Sequence, residues 1–440
     1  MEETVNTQIV TTDNKGNLLA LLPIAVFLVV YIGVSIIFND FYVMSVVVAF
    51  MISILVACLQ NKKLKFDDKL SVMAQGVADK NIITMILIFL CSGVFAGILG
   101  RDGATAVADL MLSFIPERFS VIVIFIVACF VSTAMGTSCG TITVLAPIGN
   151  AVAMATGISP ALYAASVIGG AMFGDNLSFI SDTTIAATST QGCKMKDKFK
   201  ENFLIALPAA VLTIAILLII AFTAKNVNDY TPGSVNLWLL VPYVLVLIGG
   251  IIGINVFVVL IAGIVSAIIV MLCINGSFLS VISSMGAGAG GMFEVIIVTV
   301  LVSMLSALMK SFGGFDALLY GIKRVFKGKV GGQLGISLLV SVMDVATANN
   351  TVAIVMAAPI AKNISNEYGI TNTKTASLLD IFGSVVQGVI PYGAQMITAV
   401  SLTGISALNI IPLLFYPYLL AISAIVFMFI PSFKFGKKSK

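Results

Sequence analysis

The sequence predicts an all-α polytopic membrane protein of two inverted repeats, each about five transmembrane helices plus a re-entrant hairpin, with broken helices at the midplane. Three observations predict it. Of 440 residues, 59% are hydrophobic and 10% charged, and none is histidine, a make-up outside that of soluble globular chains. Apolar runs recur at about 20–38, 41–60, 81–100, 119–134, 142–157, 203–224, 237–254, 256–275, 291–309, 334–347, 352–361 and 411–431, without strand-like alternation. The chain also matches itself at an offset of 212: Met73–Gly76 falls on Met285–Gly288, Ala146–Ile148 on Ala358–Ile360, and Ile185–Gly192 on Ile397–Gly404.

Residues 1–17 are polar, with no basic stretch leading into a cleavage site, so the expectation is a cytoplasmic tail and no signal peptide. Residues 18–224 form the first repeat, and the polar 225–236, with its Pro-Gly turn, an extracytoplasmic linker. Residues 237–433 form the second repeat and 434–440 a basic cytoplasmic tail. Lysines crowd 61–80 and 193–202, which places both loops in the cytoplasm. The second copy of 61–80 has no basic residue, whereas that of 101–118 has Lys310, Lys323, Arg324, Lys327 and Lys329. If 119–134 and 142–157 enter and leave on one side, the halves have opposite orientation. Only Arg101, Arg118 and Lys225 of the 24 basic residues then lie outside, and both termini are inside a cytoplasmic membrane. The stretches 101–117 and 311–330 are amphipathic enough to lie along the membrane surfaces. Six single cysteines lack metal-ligand spacing and read as packing residues.

The chemistry concentrates at 169–192, where Asp175 and Asp182 sit among hydroxyls and an asparagine in an apolar segment. A carboxylate at bilayer depth costs several kcal/mol and marks function by default. As one helix, 160–192 would run about 50 Å against a hydrocarbon core of about 30 Å. A break is therefore expected at Gly174–Ser178, whose residue types favour turns. The corresponding stretch of the second half, Gln387 to Gln395, is neutral: Asp175 falls on Gln387 and Asp182 on Ala394. Thr137, Ser138 and Thr141 mark one hairpin tip, and Asn349, Asn350 and Thr351, preceded by Asp344, the other. Asp380 shares a helical face with Ser384 and Gln387. With no histidine and no basic residue evident beside these aspartates, a cation or a proton must neutralise them. Carboxylate, amide, hydroxyl and unwound carbonyl oxygens suit a hard cation such as sodium. No P-loop, zinc spacing or nucleophile elbow appears, which argues against an ATP-driven pump and an intramembrane hydrolase, so the expectation is a transporter and not an enzyme.

Gly174-Asp175-Asn176-Leu177-Ser178-Phe179-Ile180-Ser181-Asp182-Thr183-Thr184 resembles the Gly-Asp-x-x-Ser-x-x-Ser-Asp-Thr-Thr signature of the NhaC-type sodium/proton antiporter family. Gly136-Thr137-Ser138 with Gly140-Thr141, and Val386-Gln387-Gly388 with Pro391 to Gln395, resemble two further stretches of that family. The resemblance runs from about residue 70 to 400. It implies an ion-coupled transporter with inverted repeats and elevator-like alternating access. The sequence departs from the family pattern at Asn176, where many members have lysine, and at Phe179, where many have proline.

The expected function is sodium/proton antiport in a lipid bilayer. Sodium is expected at Asp175, Ser178, Asp182, Thr183, Asn349, Asn350 and Thr351. Asn176, Ser181, Thr137, Ser138, Thr141, Asp344, Asp380, Gln387 and Gln395 complete the ion or substrate site. No cofactor beyond the coupling ions, sodium and proton, and no nucleic acid are expected, and a homodimer is an expected assembly. The alternative cargo is a small organic acid or amino acid moved with sodium; a channel or a scaffold is disfavoured by the repeat.

Overall fold

The computed structural model describes residues 15–38, 44–179, 181–223, 233, 236–252, 254–275 and 277–430. The basic tail 434–440, most of the N-terminal tail and most of the linker lie outside them. The described residues form helices joined by short turns. The first half comprises α1 (Leu22–Phe38), α2 (Val46–Leu59), α3 (Phe66–Val77), α4 (Lys80–Phe114), α5 (Ser120–Met135), α6 (Ser138–Thr156), α7 (Pro160–Leu177), α8 (Asp182–Gln191) and α9 (Met195–Thr223). The second comprises α10 (Val241–Ile251), α11 (Val256–Asn275), α12 (Phe278–Gly291), α13 (Phe293–Ser311), α14 (Gly314–Val325), α15 (Gly328–Thr347), α16 (Asn350–Tyr368), α17 (Asn372–Val389), α18 (Ala394–Thr403), α19 (Ala407–Ile410) and α20 (Phe415–Phe429).

Eight described helices are long and apolar enough to cross a membrane, nine if the bent pair Ala407–Leu413 and Phe415–Phe429 is one span. Their outward faces carry large apolar side chains in the open, such as Phe130, Ile219, Phe222, Val258 and Phe429. So much exposed apolar surface suits a lipid solvent and not water.

The helix boundaries repeat. Helices α6, α7 and α8 and their counterparts α16, α17 and α18 start and stop at positions 212 residues apart. The left-handed residues that end α5, α6 and α8 coincide with those that end α15, α16 and α18: Gly136 with Ala348, Gly157 with Gly369, and Gly192 with Gly404. Each of these ends a helix whose next element must turn away, which an αL residue permits.

Two groups of helices pack together. In one, α4 lies on α12 and α11, while α13 lies on α2 and α3. Gly93, Gly97 and Gly288 make the α4–α12 crossing possible: a Cβ on Gly288 would come within 2.1 Å of the Gly93 carbonyl oxygen. In the other group α5 and α6 embrace α7, and α15 and α16 embrace α17. The halves interlock there, because α8 packs on α16 and α18 on α6.

Three features refine or differ from the sequence expectation. The loop 61–80 contains α3, whose Lys69 is buried and donates to the Cys58 and Gln60 carbonyls (both 2.7 Å), closing the end of α2. The stretch 101–117 begins after a kink at Gly100, where φ is 55°, which separates it from the first part of α4. The break in 160–192 comes at Ser178–Ser181, after Gly174 and Asp175, both of which are helical. Gly174 serves packing: a Cβ there would meet the Thr133 amide nitrogen and Ser132 Cβ of α5 at 2.4 Å.

Candidate functional site

Four irregular points converge at one cavity. Two are the hairpin tips α5–α6 and α15–α16, where a left-handed residue is followed by an N-cap. Thr137 Oγ1 accepts from the Gly140 amide (3.3 Å) and Asn349 Oδ1 from the Val352 amide (3.1 Å), so each tip is closed by its own side chain. The other two are the breaks α7–α8 and α17–α18. The first is spanned by Ser178 to Ser181, the second by Ile390, Pro391, Tyr392 and Gly393, with proline unable to continue the helix.

The cavity holds about 370 Å³. Its walls are Gly136–Cys139 from one tip, Asn349–Thr351 from the other, Asp175 and Ser181–Thr183 from one break, and Gln387 and Gln395 from the other. Thr84, Met85, Ile88 and Phe89 of α4, with Ile254 and Asn255, close it. Asp175 and Asp182 are its charged residues; no lysine or arginine lines it.

A chain of hydrogen bonds ties the four points together. Ser181 Oγ donates to Asp175 Oδ1 (2.6 Å) and accepts from Thr183 Oγ1 (2.9 Å). Ser138 Oγ donates to Asp175 Oδ2 (2.9 Å) and itself accepts from Gln395 Nε2 (2.9 Å). Gln387 Nε2 donates to Gln395 Oε1 (2.6 Å) and to the Ala348 carbonyl (3.2 Å). Asp175 is thus held by two hydroxyls and by no cation of the protein. Ser181 stands at the N-cap of α8 but spends its hydroxyl on Asp175, and Asp182 occupies the first turn, where the helix dipole favours a carboxylate. Asp182 is exposed on the cavity wall, whereas Asp175 is buried.

Five sequence candidates lie off the wall. Thr141 is one turn into α6 and donates to the Thr137 carbonyl (2.9 Å). Ser178 caps α7 and is buried. Asp344 is fully buried in the last full turn of α15. Asn176 and Asp380 belong to a second polar cluster behind the broken helix.

That cluster is centred on a residue the sequence had placed in a cytoplasmic loop. Lys198, 1% exposed, pairs with Asp380 and donates to the Asn176 carbonyl (2.8 Å) and to Thr184 Oγ1 (2.8 Å). Asn202 Nδ2 donates to Asn176 Oδ1 (2.9 Å) and Asp380 Oδ2 (3.2 Å), and Asn176 Nδ2 to Ser384 Oγ (3.4 Å). The expectation that the membrane aspartates lack a basic partner is therefore corrected for Asp380. Beside the cluster, Lys374 Nζ binds Glu201 Oε1 at 3.0 Å, again buried. A signal was present: the inward face of α9, read back from Ala209 through Ile205 and Asn202 at helical spacing, reaches Lys198.

Apolar helices, a polar cavity at their junctions and unpaired carboxylates within it define a membrane transport protein. The sequence model of the Na+/H+ antiporter family matches residues 3–222 and 170–432, and the chain belongs to that family. It is 23% identical over 393 residues to the Na(+)/H(+) antiporter NhaC of Bacillus subtilis, covering 81% of this chain and 86% of that protein. It is 20% identical over 443 residues to the malate-2H(+)/Na(+)-lactate antiporter of the same organism, covering 92% and 94%. To the arginine/ornithine antiporter ArcD of Halobacterium salinarum it is 21% identical over 390 residues, covering 80% of each. The chain is a membrane protein and an ion-coupled antiporter.

Proposed function

We propose that this antiporter exchanges sodium for protons across the cell membrane, at the cavity between the hairpin tips and the helix breaks. The observation that carries the reading is a wall whose two charges, Asp175 and Asp182, face neutral oxygens and no basic side chain. Asp175 is buried, accepts from two hydroxyls and has no cation of the protein beside it, so sodium and a proton are the ligands that compete for it. Hydroxyl and amide oxygens of Thr183, Asn349, Asn350 and Thr351 complete a hard-cation site. Ser178, expected as a sodium ligand, is not part of that wall.

The tips and breaks belong to one group of helices and the α4 wall to the other, so the site lies on the boundary between them. That placement supports alternating access by movement of the α5–α9 and α15–α20 body against the rest, with the halves inverted in the membrane and both termini cytoplasmic. The test is reconstitution in liposomes with a trapped pH dye. An imposed sodium gradient should move protons in the opposite direction; no proton movement at any pH around neutrality ends the reading.

A second cargo has one observation in its favour. A cavity of about 370 Å³ falls in the size range of small-molecule sites, and the Gln387–Gln395 wall is neutral. Malate, lactate and arginine, added to the same liposomes, should leave sodium-driven proton movement unchanged if sodium and protons are the whole cargo. A solute that is itself carried with sodium replaces that reading.

A further inference from the structure

Asp344 has no role in the cavity just described, yet it is the most isolated carboxylate of the described chain. It is 0% exposed, and neither side-chain oxygen has a hydrogen-bond partner among the described residues. Gln387 of α17 donates to the Ala348 carbonyl, one turn after Asp344, and Gln387 Oε1 is likewise buried without a partner. Leaving an ionised carboxylate there costs several kcal/mol even after relaxation. The fold does not need a carboxylate at this point. The position 212 residues earlier is Ser132, whose hydroxyl donates to the Ala171 carbonyl at 2.6 Å and is fully satisfied.

Among the described residues, no titratable side chain near Asp344 neutralises it. On α17, Asp380 is taken by Lys198 and Lys374 by Glu201. On α16, Lys362 and Glu367 stand about three turns or more beyond the tip. Glu294, Lys310 and Asp316 sit at the ends of α13 and α14. Among aromatic hydroxyls, Tyr416 comes from α20, and Tyr392 from the break, where it donates to the Val345 carbonyl (2.8 Å). None of these forms an ion pair or hydrogen bond with Asp344.

We infer that Asp344 is a proton-binding site of the transport cycle, set apart from the cation cavity and joined to it through Gln387. The ligand is a proton and not a second cation because Asp344 is fully buried and does not line the cation cavity, and a carboxyl that binds a proton needs no cage of oxygen ligands as a hard cation does. A protonated carboxyl supplies one donor and needs one acceptor, and Gln387 Oε1 is an unused acceptor on the facing helix. Through its amide nitrogen the same glutamine reaches Gln395, Ser138 and Asp175. A cation that draws Asp175 away from Ser138 loosens this chain at one end, and Gln387 transmits that to the other. This inference rests on the sodium/proton reading above.

Two measurements test it. Infrared spectra of the purified protein at neutral pH without sodium should contain a protonated-carboxyl band that Asp344→Asn removes, Asp344→Glu shifts and Asp175→Asn leaves in place. In liposomes, the sodium gradient that balances a fixed pH gradient should report one proton fewer per sodium for Asp344→Asn than for the wild type. A band unaffected by Asp344→Glu, or a proton-to-sodium ratio unchanged in Asp344→Asn, overturns the assignment. If Asp344→Asn does not fold, the Asp344→Glu spectrum and ratio decide. A wild type that moves no protons sinks the antiport reading, and the exchanged-proton role with it; the band still decides whether Asp344 holds a proton.

Discussion

Asp182 and Lys198 are opposite cases of charge at a broken helix. Asp182 faces the cavity with no cation of the protein to meet it. Replacing it by Asn keeps the shape and removes a charge, so sodium-driven proton flux should fall to background or lose its pH dependence in reconstituted vesicles, while the protein still folds. Wild-type rate and pH profile in Asp182→Asn mean that the carboxylate is structural. Lys198, by contrast, has three acceptors and joins Asn176 before the break to Thr184 after it. Lys198→Met strands Asp380 in a buried site, which costs about 3–5 kcal/mol. Chemical denaturation in detergent should register that loss, and adding Asp380→Leu should recover much of it, because a well-packed apolar pair can replace a buried ion pair. The placement of Asp175 and Asp182 on the cavity wall was legible in the sequence, since carboxylates without a basic partner in an apolar run are costly unless they face a polar cavity or a polar helix contact. Lys198 is not, because a lysine among Lys194, Lys196 and Lys200 reads as one more marker of the cytoplasmic side, and only the inward face of α9 singles it out.

Helix-scale features were readable wherever apolar length or punctuation dominates. The apolar runs became helices, and the two tips appeared where small and polar residues interrupt them. The break in 160–192 was misplaced because glycine has two uses: Gly174 lacks a Cβ in order to meet α5, and its turn tendency is overridden by that packing. Gly174→Leu should therefore impair folding and not merely rates, measured as loss of monodisperse protein after extraction. The boundary between the two helix groups is crossed by an aromatic contact, Phe27 of α1 against Tyr392 in the second break, with ring centroids 4.7 Å apart. If one group slides on the other, a cysteine pair at these two positions, bridged by a short bifunctional reagent, should arrest exchange, and cleaving the bridge should restore it. Full activity in the bridged protein rules out movement at that boundary.

At the scale of the whole molecule, the duplication was visible in three short runs at one offset, and the helix ends follow it through α6–α8 and α16–α18. What the halves do not share is charge: Gln387 stands for Asp175 and Ala394 for Asp182, while Asp344 stands for Ser132. The duplicated helices bring two tips and two breaks to one place, and the asymmetry puts a carboxylate pair on one side of the cavity and amides on the other. On the proposed reading sodium and protons compete for Asp175, and protons displace sodium as pH falls. Apparent sodium affinity should rise with pH. At a fixed sodium concentration the thermal stabilisation by sodium should be larger at alkaline than at acid pH, by mass action.

The central claim is that Asp175 and its cavity bind sodium at the expense of a proton. Calorimetry on purified protein, repeated in buffers of different ionisation enthalpy, measures sodium binding and proton release together. The wild type should bind sodium and release protons, and Asp175→Asn should do neither while keeping its thermal stability in sodium-free buffer. Sodium binding of wild-type strength, with the same proton release, in a folded Asp175→Asn protein contradicts the account.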